Sequence, residues 1–223
     1  MTKQVRILFN IWIVVSFFYY STGRSQNYPG LESRLLDRNT LSTQPADFDA
    51  AVRMIEETWA NHLTHPWILV DSSDQRLYLI HHGKASCSWP VSTAKNGMGN
   101  SAGSEKTPLG AHCIYQKIGD GTPPGTIFKG RINTGSIAEI HTGSEDTEVD
   151  FVTTRILWLS GLEPGKNNGD SVDSKNRLIY IHGTDEEGKI GAPASHGCIR
   201  MTNKEIILLF KKINTGCFVY IQH

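Results

Sequence analysis

"RLIYIHGTDEEGKIGAPASHGCIRM", residues 177–201, is the stretch on which the reading of this chain turns. It opens on a short run rich in Leu, Ile and Tyr that ends, as a strand, at His182-Gly183-Thr184. The connection "DEEGKIGAPA" is polar and contains Gly and Pro, so it is expected on the surface. The chain then returns as "SHGCIRM", which sets Cys198 directly after His196 and Gly197, with Arg200 two residues on. Loops at strand ends are where reactive side chains tend to sit. Cys198 is therefore a nucleophile, a metal ligand or a buried thiol.

The same texture extends from Trp67 onward. "WILVD", "QRLYLI", "ASCSWPVST", "AHCIYQKI", "TIFKGRI" and "TRILWLSGL" are short runs of Val, Ile, Leu, Tyr and Trp. Turn clusters such as "HHGK", "NGMGNSAGS" and "GDGTPPG" separate them. This pattern predicts a mainly antiparallel β domain, a sandwich or barrel. "TPLG", residues 107–110, fits a type I turn. "TNKEIILLFKKI" predicts one C-terminal helix, with Thr202 and Glu205 as a capping box and Ile206, Leu209, Phe210 and Ile213 as its apolar face. Gly216 is placed to stop that helix, and "CFVYI" returns as a last strand.

The N-terminal part has a different composition. Lys3 and Arg6 precede an almost wholly apolar run at residues 7–20, followed by "STGRSQ". That order predicts a signal peptide or N-terminal anchor at residues 1–25, and the apolar run is short for a membrane span. A linker and an amphipathic helix are expected within 26–65. Pro45 lies in the first turn of that helix, and Phe48, Val52, Ile55, Trp59 and Leu63 share one face. The β domain occupies 66–223. Because its strand pattern starts only at Trp67, a fragment beginning near Asn61 is expected to fold. Lys+Arg and Asp+Glu both total 22, so no basic stripe argues for nucleic acid as a partner.

Export bears on the four cysteines, since an oxidising compartment permits disulfides. Cys87, Cys113 and Cys217 are read as buried thiols in preference to a Cys87–Cys113 bridge. For Cys198 the chemistry of acyl transfer is informative. The thiolate is the nucleophile, and a histidine in reach can take its proton and return it to a departing amine. Gly197 permits the tight backbone that would aim N–H groups at an oxyanion. Ser195 or a backbone carbonyl could orient the base, and Arg200 could hold a substrate carboxylate bidentately. A metal site from His182, His196 and Cys198 is the competing reading, but no further ligand stands at suitable spacing. Residue types alone leave these alternatives open.

"IHGT" followed by "SHGCIRM" resembles the L,D-transpeptidase catalytic domain, the YkuD-like family, with its signature of a histidine followed at a distance by Ser or Thr, His-Gly-Cys, any residue, and Arg or Asn. "ILVDSSDQRLYLI" resembles the family's opening hairpin, and "PVSTAKNG…KTPLGAHCI" its substrate-side strand and turn. The resemblance covers about residues 66–222; the extra cysteines and the N-terminal segment depart from it. It implies Cys198 as nucleophile, His182 as base, and the amides of Gly197 and Cys198 as oxyanion hole. His196, Arg200, Ser195 and Gly183 would support the site or bind substrate. It further implies an exported bacterial enzyme of peptidoglycan synthesis and cell shape, in the periplasm or cell wall, membrane-anchored if the N-terminal segment is uncleaved. Cys198 would cleave the L-D bond of a tetrapeptide stem and pass the thioester to an amine acceptor, giving a 3-3 crosslink or attaching a protein to the wall. No metal or organic cofactor is implied. Hydrolysis by an L,D-carboxypeptidase and a non-catalytic wall-binding module are the alternatives. Arg155 could reach the site, although a strand-end surface arginine is the plainer reading. Glu145, Asp146, Glu148 and Asp150 could attract a cationic acceptor, although a solvated loop is plainer.

Overall fold

Trp67–Asp71 reads WILVD, and every residue before the aspartate is buried. A run that is apolar without alternation suits a strand covered on both faces. The computed structural model describes residues 48–147 and 149–223. In it this strand, β1, lies inside a sheet with side chains packed above and below. The helix α1 (Phe48–Thr58) precedes it. After it come β2 (Arg76–His81), β3 (Lys84–Pro90), β4 (Gly110–Ile118), β5 (Thr126–Lys129) and β6 (Ile132–Ile137). Then follow β7 (Val152–Gly161), β8 (Tyr180–Thr184), β9 (Ile199–Met201), α2 (Asn203–Lys212) and β10 (Phe218–Gln222). The strands form one sheet in the order β3-β2-β1-β10-β4-β7-β5-β6, with β8 on β7 and β9 on β8.

The fold is mostly β, as the runs predict, but the sheet is mixed. β1 pairs with β10, and β8 with β9, in parallel. Parallel neighbours need a connection of about a dozen residues or more, and the loop between β8 and β9 supplies one. The runs themselves carry no strand direction, so sequence reading missed this.

Alternation sorts the side chains of β1, β2 and β10 between two cores. Ile68, Val70, Leu77, Leu79, Val219 and Ile221 face one core together with Ile181, Ile199, Met201 and the α2 residues Ile206, Leu209 and Phe210. Trp67, Leu69, Tyr78, Ile80 and Phe218 face the other, which α1 closes with Phe48, Val52 and Ile55. Trp67 Nε1 also donates to Glu56 Oε1 at 3.0 Å. This revises the expectation for a fragment from Asn61, which would strip the lid from the second core. Each fully buried apolar side chain stabilises by about 1.5–3 kcal/mol. Removing α1 should therefore lower Tm by well over 10 °C or give insoluble protein. A fragment from Asn61 that melts with the longer chain would contradict this packing.

Several local expectations are corrected. "TIFKGRI" is not one strand: Gly130 and Arg131, at φ 55 and 70, turn it into the β5–β6 hairpin. "TPLG" is not a turn: Thr107 bridges to Met98, and the chain runs on through Pro108 and Leu109 into β4 without a bend. Thr202 does cap α2, accepting from Glu205 N. The helix nevertheless ends at Lys212, with Ile213 extended, and Gly216 (φ 85) serves the turn into β10. Arg155 is not on the surface. It is buried, donates to the Thr122 carbonyl at 2.9 Å and lies 5.6 Å over the Phe210 ring. Cys217 is buried, but Cys87 and Cys113 are only half-buried. Cys87 on β3 and Cys113 on β4 are separated by β2, β1 and β10. That is roughly 19 Å at the spacing of neighbouring strands, too far for a bridge. The signal segment, the linker, Pro45 and Glu148 lie outside the described residues.

Candidate active site

The alternation that builds the core also builds the site. In β8, Ile181 points into the main core, so Tyr180 and His182 point to the other face. In β9, Ile199 and Met201 point inward, so Arg200 points outward with them. The parallel register sets Ile181 beside Ile199 and His182 beside Arg200. Cys198, one step before β9, packs against Phe128, Ile156 and Tyr180 on that outer face. Two strands joined by one loop thus bring Tyr180, His182, Cys198 and Arg200 to one face.

Cys198 is half-buried. Its Sγ accepts from Tyr180 N at 3.4 Å and donates to the Leu178 carbonyl at 3.5 Å. Burial pushes the thiol up to about 11, against the pull of the Tyr180 N–H. Leu178 holds its carbonyl there at φ 58, a left-handed conformation that a bulky side chain rarely adopts.

His182 is buried, and its Nδ1 lies 2.7 Å from the Gly183 carbonyl. A carbonyl only accepts, so Nδ1 carries the proton and Nε2 keeps its lone pair. Burial holds the ring's pKa below the usual histidine value, with Asp150 opposing, so the imidazole is neutral at pH 7. Gly183 is needed for a steric reason: a Cβ there would meet Asn203 Oδ1 at 2.6 Å and the Thr153 carbonyl at 2.9 Å. Gly197 is needed for a conformational one, at φ 125. Its N–H, however, is given to Ser195 Oγ at 3.2 Å, and Ser195 in turn donates to the Cys198 carbonyl at 2.6 Å. Ser195 thus braces the turn. Of the two amides expected to form an oxyanion hole, Gly197's is engaged, while Cys198's meets no acceptor among the described residues.

His196 is 68% exposed and its Nδ1 lies 3.4 Å from Asp150 Oδ2. Arg200, expected to meet a substrate carboxylate, is 1% exposed and already spent. Its Nη1 donates to Glu186 Oε2 at 2.7 Å and its Nη2 to Asp150. Glu186 also takes Lys189 at 2.9 Å, and Lys189 takes Asp146. Of the acids expected to attract an acceptor, Asp146 and Asp150 are thus paired with cations, while Glu145 is exposed. For Glu186, burial is outweighed by the Thr147 N–H, Lys189 and Arg200, which hold its carboxyl at about 2.

Sequence reading missed three further residues. Thr107 Oγ1 accepts from Ala94 N and donates to the Gly197 carbonyl, both at 3.0 Å, fixing the peptide before the cysteine. Asn203 accepts from Thr153 Oγ1 at 2.6 Å and donates to the Thr184 carbonyl at 2.8 Å and Glu187 at 2.7 Å, beneath the His182–Gly183 strand. Tyr180 was visible only as one more aromatic in a strand.

A thiol near 11 is protonated at neutral pH. In the absence of substrate, iodoacetamide should alkylate Cys198 slowly at pH 7 and progressively faster to pH 10, followed by peptide mass mapping. A rate that levels off below pH 8 would instead indicate a resting thiolate–imidazolium pair.

Fold and motif define a class: a mixed β domain that presents His-Gly-Thr and Ser-His-Gly-Cys segments from adjacent parallel strands. The chain belongs to the L,D-transpeptidase catalytic domain family, YkuD, whose model matches residues 65–221. Among curated relatives, it is 42% identical over 52 residues to YqjB of Bacillus subtilis (strain 168), 23% of this chain and 30% of that one. It is 48% identical over 40 residues to YbiS of Escherichia coli (strain K12), 18% and 13% of the two chains. Both carry L,D-transpeptidase in their names. The matches thus span less than a third of either relative's length. An L,D-transpeptidase structure from Mycobacterium smegmatis aligns with 71% of this chain and 59% of its own at 16% identity and a TM-score of 0.43.

Proposed function

We propose that this chain is an exported cysteine L,D-transpeptidase acting on peptidoglycan stem peptides. The observation that carries the reading is the placement of Cys198 on one face with a buried, neutral His182 whose free nitrogen is Nε2. Family membership supplies the reaction class. The Cys198 proton passes to His182 Nε2, and the sulfur attacks the carbonyl of the L-to-D bond of a tetrapeptide stem. The Cys198 N–H faces the developing oxyanion. His182 returns the proton to the departing D-alanine amine, leaving a thioester. An amine of a second stem, or of a protein to be attached to the wall, then attacks the thioester and frees the thiol. The Gly183 carbonyl keeps the imidazole in the tautomer that both proton transfers require.

Water could take the acceptor's place, which would make the chain a carboxypeptidase. The test is a tetrapeptide donor with rising amounts of a diamino-acid acceptor, with products read by mass spectrometry. Crosslinked product should overtake tripeptide as acceptor increases. Tripeptide alone at saturating acceptor would establish hydrolysis, and no turnover with an intact thiol would leave a wall-binding module.

A further inference from the structure

Arg200, the guanidinium expected to meet substrate, is locked in ion pairs with Glu186 and Asp150. Arg177, which lies near Cys198, is spent on the carbonyls of Gly99, Asn100 and Lys106. Arg131, at the tip of the β5–β6 hairpin, differs from both. Its Nη1 donates to Tyr180 Oη at 3.0 Å, and its Cζ lies 4.4 Å over the Trp158 ring. Among the described residues no carboxylate pairs with it, and Nη1 is the only one of its nitrogens that has an acceptor.

The turn makes Arg131 costly to keep. Both central residues of this two-residue hairpin sit at positive φ, 55 and 70. Such turns favour Asn or Asp first and Gly second. Here the glycine comes first, and an arginine occupies the position that most wants glycine. A residue that opposes its own local preference marks a place where something other than folding selects it.

Tyr180 connects this guanidinium to the nucleophile. Its backbone N–H reaches Cys198 Sγ at 3.4 Å while its hydroxyl holds Arg131 at the far end of the ring. The cation therefore stands within the length of one tyrosine residue and two hydrogen bonds of the sulfur. One residue of extended peptide spans about 3.3–3.6 Å, so a charge one to two residues from the attacked carbonyl falls within its reach. A planar fork held flat on an indole suits a carboxylate, which it can grip with two parallel N–H groups.

We propose that Arg131, aligned by Tyr180 and Trp158, binds the C-terminal carboxylate of the leaving residue and so restricts cleavage to the bond before a terminal D-amino acid. This rests on the transpeptidase reading above. Arg131 is a specificity residue in this scheme; bond breaking stays with Cys198 and His182.

The experiment compares two tetrapeptide donors, one ending in a free carboxylate and one in a primary amide, by kcat/KM with a fixed acceptor. A hydrogen-bonded charge contact is worth about 1.5–3 kcal/mol, so the wild type should favour the carboxylate by roughly 10- to 150-fold. Arg131→Gln should bring that ratio close to one, and Arg131→Lys should keep part of it, because the charge remains without the fork. Tyr180→Phe should lower the ratio less than Arg131→Gln. Equal losses on both donors in Arg131→Gln, with the ratio preserved, would show a structural role and overturn the proposal. So would a wild type that accepts both donors equally well, and in that case the transpeptidase reading still stands. If the wild type turns over neither donor, that reading fails and this one falls with it.

Discussion

His182→Gln should lower turnover by about 10²- to 10⁴-fold, the usual worth of a positioned general base, with little change in Tm. Glutamine can still donate to the Gly183 carbonyl that now accepts from Nδ1, so the strand is kept while the acceptor nitrogen is lost. Cys198→Ala should abolish the acyl-enzyme altogether, because the other cysteines stand elsewhere in the sheet: Cys87 is on β3, Cys113 is on β4 and Cys217 is in the main core. The double variant should be no worse than Cys198→Ala alone, since groups that act as a unit do not add. His196→Gln should matter far less, with its ring 68% exposed and turned to Asp150. Mass spectrometry of the protein after incubation with donor reads the adduct directly. An adduct on Cys198→Ala, or equal losses for His182→Gln and His196→Gln, would reassign the roles.

Arg200→Ala should be the most destabilising single change near the site. Arg200 is 1% exposed between Glu186, 4% exposed, and Asp150. Removing one partner of a buried pair costs about 3–5 kcal/mol, because the other charge is left without compensation. Arg200→Met fills the volume but strands the same two carboxylates, so it should recover little. Acid should act on the same cluster. Glu186 is held at about 2, below the ordinary glutamate value of 4.5, so its contribution is complete above pH 4.5 and fades as pH falls toward 2. Urea melts of the wild type should therefore weaken across that window, and those of Arg200→Ala should weaken less. An Arg200→Ala protein as stable as the wild type at pH 7 would mean that the cluster contributes nothing.

The strands were legible because their apolar runs are short and bounded by turns, and helix α2 because Thr202 caps a periodic face. Sequence could not show strand direction, since WILVD looks the same beside a parallel or an antiparallel neighbour. It could not show β9 either: three residues after a Gly-Cys pair carry no run, and IRM reads as the approach to a helix. The motif singled out Cys198 and His182, which the fold brings to one face, with His182 on β8 and Cys198 one step before β9. It was less informative about Arg200 and Gly197, because a motif position says nothing about which partners are already bonded. Asn203 was hidden for the same reason: an asparagine in the first turn of a helix is ordinary until Thr153, Thr184 and Glu187 close around it.

The parallel pairing of β1 with β10 has a consequence for how the molecule comes to be. β10 sits between β1 and β4, although it follows them in sequence by more than a hundred residues. A chain made from its N-terminus therefore cannot join β1 to β4 in one sheet until Phe218–Gln222 emerges. Until then two rows of backbone N–H and C=O groups stand open as templates for another strand. Contacts at such separation also slow folding, because a long loop must close before they form. The nascent chain is thus most exposed to aggregation just before synthesis of this domain is complete, and a few residues near its end decide whether the centre of the sheet exists at all.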